Sequence, residues 1–268
     1  MSRISLLLLA GTLIAGEGSL MVPAVMQGTE IVDKRGSLIP QDILLTNHLG
    51  KSVKMGDYLG TKPLILILGY NKCPMLCNLV LNATIDSIKG QSLRLGRDFE
   101  MLSVSVNPKE TADLANSRRN NYLKTLPMVP GQVLDDKTFE FLIGAEDQVK
   151  RLADSVGFGY RFHPPSGEYI HSAGIFIVSP DGTLSRTLYG ISYRSNDLKM
   201  SLIDASNGKI GSVLDRIILS CFHYEPDSHK YGVYVFGVMR LASILMILVL
   251  GTFVLVLLMR ERRLKTWT

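Results

Sequence analysis

An unbroken apolar run, PLILILGY at Pro63–Tyr70, constrains the fold of this chain more than any other stretch. Its length and its aliphatic residues predict a strand that is buried on both faces. Two cysteines, Cys73 and Cys77, follow it, and apolar residues then recur at helical spacing from Leu79 to Lys89. The cysteines are therefore predicted to lie between a central strand and the N-terminus of a helix. Backbone N–H groups and the helix dipole at such a position stabilise thiolates and lower thiol pKa values.

The remaining elements first alternate between strand and helix and then form hairpins. This order predicts an α/β fold with a thioredoxin-like central mixed sheet, parallel at one end and antiparallel at the other, flanked by helices. The further predicted strands are Ile43–Thr46, Ser52–Met55, Glu100–Val106, Gly131–Leu134, Tyr160–His163, Tyr169–His171, Ala173–Ser179 and Leu184–Tyr189. The further predicted helices are Pro108–Lys124, Phe139–Val156, which ends at Gly157, and Asn196–Ser206.

Two local patterns complete these predictions. Asn107, Pro108 and Glu110 predict a helix start, because Asn is a good N-cap, Pro suits the first helical position and Glu at the third can close a capping box. His48 lies in the turn between the first two predicted strands and is expected to be solvated.

The two ends of the chain predict a membrane protein. Residues 1–24 resemble a secretory signal peptide, with Arg3 before a short apolar core. Residues 241–259 contain no charge and are long enough to span a bilayer, and the tail 260–268 is basic. The sequence thus predicts a folded domain at 25–222 outside the membrane, a juxtamembrane link at 223–240, one C-terminal transmembrane helix and a cytoplasmic tail.

Composition excludes some classes of protein. The net charge of +5 and the pI near 9.0 would suit a nucleic-acid partner, but much of the excess lies in the last nine residues, and no basic stripe crosses the middle of the chain. We therefore expect no nucleic-acid binding. Three cysteines in 268 residues are too few for a disulfide scaffold.

The spacing of Cys73 and Cys77 is compatible with two chemistries. Three residues separate them, one more than in a thioredoxin Cys-x-x-Cys pair, which leaves the sulfur atoms room to open around a metal ion. A disulfide is also allowed, since their Cα atoms can lie within about 6 Å of each other. Two thiolates are soft ligands that select Cu(I) over hard ions, and they need a third donor. Metal binding and disulfide exchange both remain open from this pattern.

Histidines supply the candidate third donors. His171 precedes the predicted strand Ala173–Ser179, where a second loop would meet the same sheet edge, although a hydrogen-bonded structural histidine is the alternative. A second small cluster, Cys221 with His223, lies just outside the predicted membrane helix. This cluster predicts either an accessory copper site or a packed cysteine with interfacial histidines.

Several motifs, taken in order, resemble the Sco/SenC family in its bacterial branch with a C-terminal membrane helix. The resemblance runs from about residue 36 into the membrane helix. The motifs that carry it are GYNKCPMLC at 69–77, SVNPKET at 105–111, His171 followed by AGIFIVSPDG at 173–182, LYG at 188–190 and CFHYEP at 221–226.

The resemblance implies a thioredoxin-like fold in which Cys73, Cys77 and His171 bind copper, as Cu(I), Cu(II) or both. It implies delivery of copper to the dinuclear CuA centre on subunit II of cytochrome c oxidase during assembly, which is a carrier function rather than an enzyme activity. The alternative within the family is a thiol–disulfide oxidoreductase that keeps the CuA cysteines reduced. Another copper chaperone or a thioredoxin-like reductant is then an expected partner, and the bacterial cytoplasmic membrane, with the domain on its periplasmic side, is the expected location.

Two positions depart from the family pattern. Asn107 stands where an acidic residue is usual, which removes a negative charge near the site, and Ile170 stands where many members carry Asp. Neither is an expected ligand, so copper binding is still expected, and the change falls on the residues around the ligands. A peroxidase of the peroxiredoxin type is disfavoured because no Thr-x-x-Cys pattern surrounds Cys73.

Overall fold

The structure is a computed structural model that describes residues 27–89, 91–127, 134–206, 222–225, 230–233 and 242–253. The strands in these ranges are β1 (Leu44–Thr46), β2 (Ser52–Lys54), β3 (Leu64–Gly69), β4 (Glu100–Ser105), β5 (Phe139–Leu142), β6 (Tyr160–His163), β7 (Glu168–His171), β8 (Gly174–Val178), β9 (Leu184–Tyr189), β10 (Phe222–Glu225) and β11 (Lys230–Val233). The helices are α1 (Leu76–Ile88), α2 (Ala112–Leu123), α3 (Glu146–Val156) and α4 (Ser195–Ala205), with a 3-10 turn at Met55–Tyr58 and a further helical segment at 242–253.

The central sheet has the strand order β5-β4-β3-β8-β9. β5, β4 and β3 run parallel, whereas β8 is antiparallel to β3 and β9 is antiparallel to β8. This confirms the predicted mixed sheet, with the apolar run as its central strand. β1 and β2 form the predicted hairpin, and β6 and β7 form another.

Alternate residues of β3 support two separate cores, because successive side chains of a strand point to opposite faces. Leu64, Leu66 and Leu68 face a core shared with α3 and the β1–β2 hairpin. Ile65 and Ile67 face a second core built with α1, α2 and α4. All six residues of β3 are buried, which explains why the run contains no polar residue.

The helix predicted at 139–156 is wrong in its first part. Phe139–Leu142 is strand β5, which pairs with β4 at the edge of the sheet, and only the part from Glu146 onward is helical. The aromatic residues Phe139 and Phe141 favour a strand, and pairing with β4 buries both of them. α3 ends as predicted at Gly157, whose positive φ of 74° is a left-handed conformation that suits glycine.

The second helix begins later than its capping motif predicted. Thr111 is the N-cap of α2, and its side chain accepts a hydrogen bond from the N–H of Leu114. Asn107 instead closes a turn, since its Oδ1 accepts from the N–H of Lys109. Glu110 therefore lies outside the helix, in the loop that follows β4, where its side chain is available for another role.

His48 is buried, at 4% exposure, which contradicts the predicted solvated turn. Its Nδ1 lies 3.2 Å from Oε1 of Glu140 on β5, and the Tyr58 hydroxyl donates to the other oxygen of this carboxyl. Burial, followed by the charge of Arg119, lowers the pKa of His48. Burial also raises the pKa of Glu140. These side chains form a buried polar cluster at the edge of the sheet.

The C-terminal part of the chain is described only in pieces. β10 and β11 pair as an antiparallel hairpin in the region predicted as a juxtamembrane link. Residues 242–253 are helical, and no helix within the described ranges is long and apolar enough to cross a membrane. The predicted signal peptide 1–24, the tail 260–268, most of the predicted strand 131–134 and the rest of the predicted span 241–259 lie outside the described residues.

Candidate metal and redox site

The loop with both cysteines connects the end of β3 to α1. α1 begins earlier than predicted, so that Cys77 lies in its first turn. The N–H of Tyr70 donates to Cys77 Sγ at 3.4 Å, and the N–H of Cys77 donates to Cys73 Sγ at 3.3 Å. A Cβ atom at Gly69 would lie 2.8 Å from Cys77 Sγ, so a residue without a side chain is needed there. Both thiols are reduced and buried in this arrangement.

The pKa values of the two thiols are shifted in opposite directions. A hydrogen bond with the Cys77 thiol, a second with His171, and the backbone N–H groups of Cys77 and Met75 together lower the pKa of Cys73 to about 3, against the opposing effect of burial. The hydrogen bond with Cys73, together with burial, raises the pKa of Cys77. The directions of these two shifts make Cys73 the thiol that ionises first. Such stabilisation is expected at a helix N-terminus.

His171 approaches the cysteines from β7, a strand outside the central sheet. It is the last residue of β7 and is 7% exposed, and its Nε2 lies 3.6 Å from Cys77 Sγ. Its Nδ1 lies 2.9 Å from the backbone oxygen of Ser172, which can only accept. Nδ1 therefore donates to this oxygen, and Nε2 is the ring nitrogen that faces the cysteines. A backbone carbonyl commonly fixes a metal-binding histidine in this way.

The topology explains why these side chains meet. Parallel pairing sets Gly69 at the end of β3 beside Ser105 at the end of β4. Antiparallel pairing of β3 with β8 brings the start of β8, just after His171, to the same edge of the sheet. The loops after β3 and β4 and the loop before β8 therefore converge at one place.

Aromatic rings cover the histidine. The ring centroid of His171 lies 5.3 Å from that of Phe158 and 6.3 Å from that of Tyr70, and Tyr169 packs on Tyr70 at 5.8 Å. Burial and the negative charge of Cys73 raise the pKa of Tyr70, so the phenol stays protonated beside the thiolate. This apolar cover limits access of water to the sulfur atoms.

The distances suit exchange of protons for a soft metal ion. A metal with a sulfur ligand at about 2.3 Å and a nitrogen ligand at about 2.0 Å, in tetrahedral or trigonal geometry, places those donors about 3.5 to 3.7 Å apart. The Cys77–His171 separation of 3.6 Å matches this value. As the side chains stand, no group of three or more His, Cys, Asp or Glu residues within the described ranges is arranged to hold a metal ion. Since Cys73 hydrogen-bonds to both other side chains, a metal entering here would displace the protons between them.

Glu110 anchors the cysteine loop, a role that the sequence did not reveal. Its Oε2 accepts three hydrogen bonds. The donors are the backbone N–H of Asn71 at 2.9 Å, the side-chain amide of Asn71 at 2.8 Å and the hydroxyl of Ser105 at 2.7 Å. Its Oε1 accepts from the N–H of Lys72 at 2.8 Å. The capping pattern was the only signal at this position, and it indicated a helix. Only the folded loop shows that the carboxylate holds the residues just before Cys73.

Two other histidines, His163 and His223, are not brought to this site in the described part of the chain. His163 is at the far end of the β6–β7 hairpin, where its Nδ1 lies 2.9 Å from the hydroxyl of Ser166. Cys221 lies outside the described residues, and the side chain of His223 on β10 is not described. The accessory site at Cys221 and His223 stays a prediction.

Sheet order and the dithiol at the start of α1 define a protein of the thioredoxin-like α/β class. The sequence model of the SCO1/SenC family matches residues 33–198, more than half of the chain. The chain belongs to the SCO1/SenC family, as its motifs predicted. Comparison with curated proteins gave no significant match.

Solved structures share this fold. A putative electron transfer protein from Aquifex aeolicus is 21% identical over 66% of this chain and 96% of its own, with a TM-score of 0.56. A SCO1/SenC family lipoprotein from Bacillus anthracis is 17% identical over 65% of this chain and 96% of its own, with a TM-score of 0.51. The copper-bound ScoI of Arabidopsis thaliana is 23% identical over 62% of this chain and 96% of its own, with a TM-score of 0.47. The first two likenesses support the fold.

Proposed function

We propose that this protein binds copper through Cys73, Cys77 and His171 and delivers it to the CuA centre of cytochrome c oxidase during assembly. The observation that carries the proposal is the 3.6 Å approach of His171 Nε2 to Cys77 Sγ, beside the Cys73 thiolate. Membership of the SCO1/SenC family supports copper as the ion. The donor set agrees with this, because thiolates favour Cu(I) and imidazole also suits Cu(II).

Copper would leave the site by ligand exchange. The sulfur atoms lie at the edge of the sheet, and Met75 between them in sequence is 65% exposed, so an acceptor can approach the loop. Cysteines of the acceptor would replace Cys73, Cys77 and His171 one at a time, without a free copper ion in solution. The protein is thus a carrier, with the CuA domain of subunit II as its acceptor.

The proposed location is the outer face of the cytoplasmic membrane. A signal-like segment at 1–24, an uncharged stretch at 241–259 and a basic tail at 260–268 support a domain outside and a C-terminal anchor. Such a tether would hold the site close to a membrane-bound oxidase.

The second candidate function is reduction of a disulfide in the CuA site. The opposite pKa shifts in the pair favour it, because Cys73 is the thiol that ionises more readily and Cys77 the one that holds its proton more tightly. The Cys73 thiolate would attack one sulfur of the target disulfide and release a thiolate, which takes up a proton. Cys77 would then lose its proton and attack Cys73 Sγ, which releases the second target thiol and leaves a Cys73–Cys77 disulfide. The dithiol donates two electrons and must be reduced again by a thioredoxin-like partner.

The test is a Cu(I) titration against a competing chelator, under reducing anaerobic conditions, with the full-length protein in detergent. We expect one tight site in the wild type and a loss of affinity of at least about 100-fold in His171→Ala, because one of three ligands is removed. His163→Ala is the matched control, since it removes a half-buried histidine at the far end of the same hairpin, and it should bind as the wild type does. Weak binding that is indifferent to His171 would overturn the carrier function and leave the reductase.

A further inference from the structure

Glu110 is a buried carboxylate directly behind the cysteine loop. It is 6% exposed, and four neutral donors point at its two oxygens: two from Asn71 and one each from Lys72 and Ser105. Two of these donors are the backbone N–H groups of the residues that lead into Cys73. The carboxylate therefore fixes the path of the backbone into the site.

Glu110 forms no salt bridge with another residue in the described part of the chain. An ionised carboxylate is an acceptor only, and all four groups that contact Glu110 are donors. A negative charge held by neutral donors in a buried position is weakly screened and acts on charges nearby.

We propose that Glu110 is a positioning residue that favours Cu(II) over Cu(I) at the site of Cys73, Cys77 and His171. The inference rests on the proposed copper function and adds the preferred oxidation state to it. The attraction between Glu110 and a bound cation grows with the charge of that cation, so the divalent ion is stabilised more. Glu110 thereby supplies the loop with a negative charge where Asn107 lacks one.

A charge effect can be separated from a hydrogen-bonding effect. Glu110→Gln keeps the size of the side chain and removes its charge, whereas Ser105→Ala removes one of its donors and keeps the charge. The charge acting on the metal ion changes the ratio of the two affinities, because its attraction scales with the charge of the ion. Ser105→Ala measures how much a weaker hold on the loop changes that ratio by itself.

The experiment measures Cu(II) and Cu(I) affinities of the full-length protein by chelator competition. In Glu110→Gln we expect the ratio of Cu(II) to Cu(I) affinity to fall about tenfold, which corresponds to a rise of about 59 mV in the potential of the bound copper. Ser105→Ala should leave the ratio within about twofold of the wild type. Glu140→Gln is the matched control, because it neutralises another buried carboxyl that lies in the His48 cluster, and its ratio should also be unchanged. A ratio unchanged in Glu110→Gln would overturn the inference.

Two further measurements apply if Glu110→Gln does not fold or if the wild type binds no copper. If Glu110→Gln does not fold, Asn107→Asp adds a carboxylate to the same loop and should raise the Cu(II) preference, and an unchanged ratio there counts against the inference. If the wild type binds no copper, the proposed function fails, and the reduction potential of the Cys73–Cys77 disulfide then tests Glu110. Glu110→Gln should raise that potential, because the charge of Glu110 disfavours the thiolate of the reduced form. No change in the disulfide potential would show that the charge does not reach the site.

Discussion

Cys73 and Cys77 have the same side chain, but their pKa values shift in opposite directions because their surroundings differ. Cys73 Sγ accepts hydrogen bonds from the backbone at the start of α1, so its negative charge replaces an N-cap. Cys77 Sγ lies deeper, against the end of β3, where a charge would be costly. A single histidine, oriented by the carbonyl of Ser172, completes the arrangement. The two sulfur atoms and the ring nitrogen therefore meet in one buried place.

Gly69 is predicted to be essential for the position of Cys77. In Gly69→Ala the new Cβ would lie 2.8 Å from Cys77 Sγ, so either the sulfur or the strand must shift. We expect a loss of about 1–3 kcal/mol in the free energy of unfolding, as for other overpacked cores, and at least about a tenfold loss of Cu(I) affinity. Urea unfolding and the chelator titration measure the two effects.

The control for this substitution is Gly251→Ala, since an added Cβ there meets nothing within 4 Å in the described part of the chain. It should leave the Cu(I) affinity at the wild-type value and should not lower the free energy of unfolding, because Ala is favoured over Gly inside a helix. If Gly69→Ala binds copper with wild-type affinity, Cys77 can be displaced without loss of binding. The short distance between Gly69 and Cys77 Sγ is then not needed for the site.

Individual elements differ in how well local sequence specifies them. β3 and α4 follow from their own apolar patterns, and the stop of α3 follows from Gly157. β5 is less clearly specified, because the apolar spacing of Phe139–Leu142 is continuous with that of α3, and pairing with β4 decides in favour of the strand that its aromatic residues prefer. The same edge buries His48 and Glu140, two residues that a short turn and an edge strand would ordinarily leave in water.

The His48 cluster predicts a dependence of stability on pH. The groups facing His48 are Glu140, Tyr58, Arg119 and Asp136. Because the folded pKa of His48 is lowered below 6.5, the unfolded state binds more protons below that pH. The contribution of His48 to stability is therefore complete above about pH 6.5 and is lost as the pH falls through its folded pKa.

His48→Gln removes this dependence. We expect the difference in free energy of unfolding between wild type and variant to shrink between about pH 8 and pH 5, as measured by urea unfolding at several pH values. Glu140 acts in the opposite sense, since its raised pKa lowers stability as the pH rises above about 4.5, and it is present in both proteins. A difference that stays constant across this range would mean that His48 is protonated equally in both states.

The whole molecule combines a parallel and an antiparallel half in one sheet, and this is what assembles the site. The parallel half brings the Glu110 loop to the end of β3, and the antiparallel half brings His171 there. Gly69, Glu110 and His171 are thus brought to the same end of the sheet although long stretches of chain separate them. If β8 ran parallel to β3, His171 would lie at the other end of the strands, away from the cysteines.

Membrane attachment is the prediction that belongs to the whole chain. We expect the full-length protein to stay with membranes after an alkaline carbonate wash, because residues 241–259 can span a bilayer. A chain that ends at residue 240 should appear in the soluble extracytoplasmic fraction. Replacing 241–259 by an unrelated apolar helix of equal length should restore attachment. If the shortened chain stays with the membrane, residues 1–24 are an uncleaved anchor instead.

The sequence by itself determined the class of fold, the family and the cysteine pair. These depend on local information: an apolar run long enough for a buried strand, residues that favour a thiolate at a helix start, and motifs read in order. His171 became a candidate because a second loop was expected at the same edge of the sheet, and its placement there agrees with that expectation.

Only the tertiary structure decided which groups surround the cysteines and in what state they are held. The anchoring role of Glu110, the buried position of His48 and the strand at Phe139–Leu142 all depend on partners far away in the sequence. Local propensity cannot determine them, because the same residues suit a helix cap, a solvated turn and a helix. The energy of a buried hydrogen bond or a paired strand outweighs those weak local preferences once the sheet has formed.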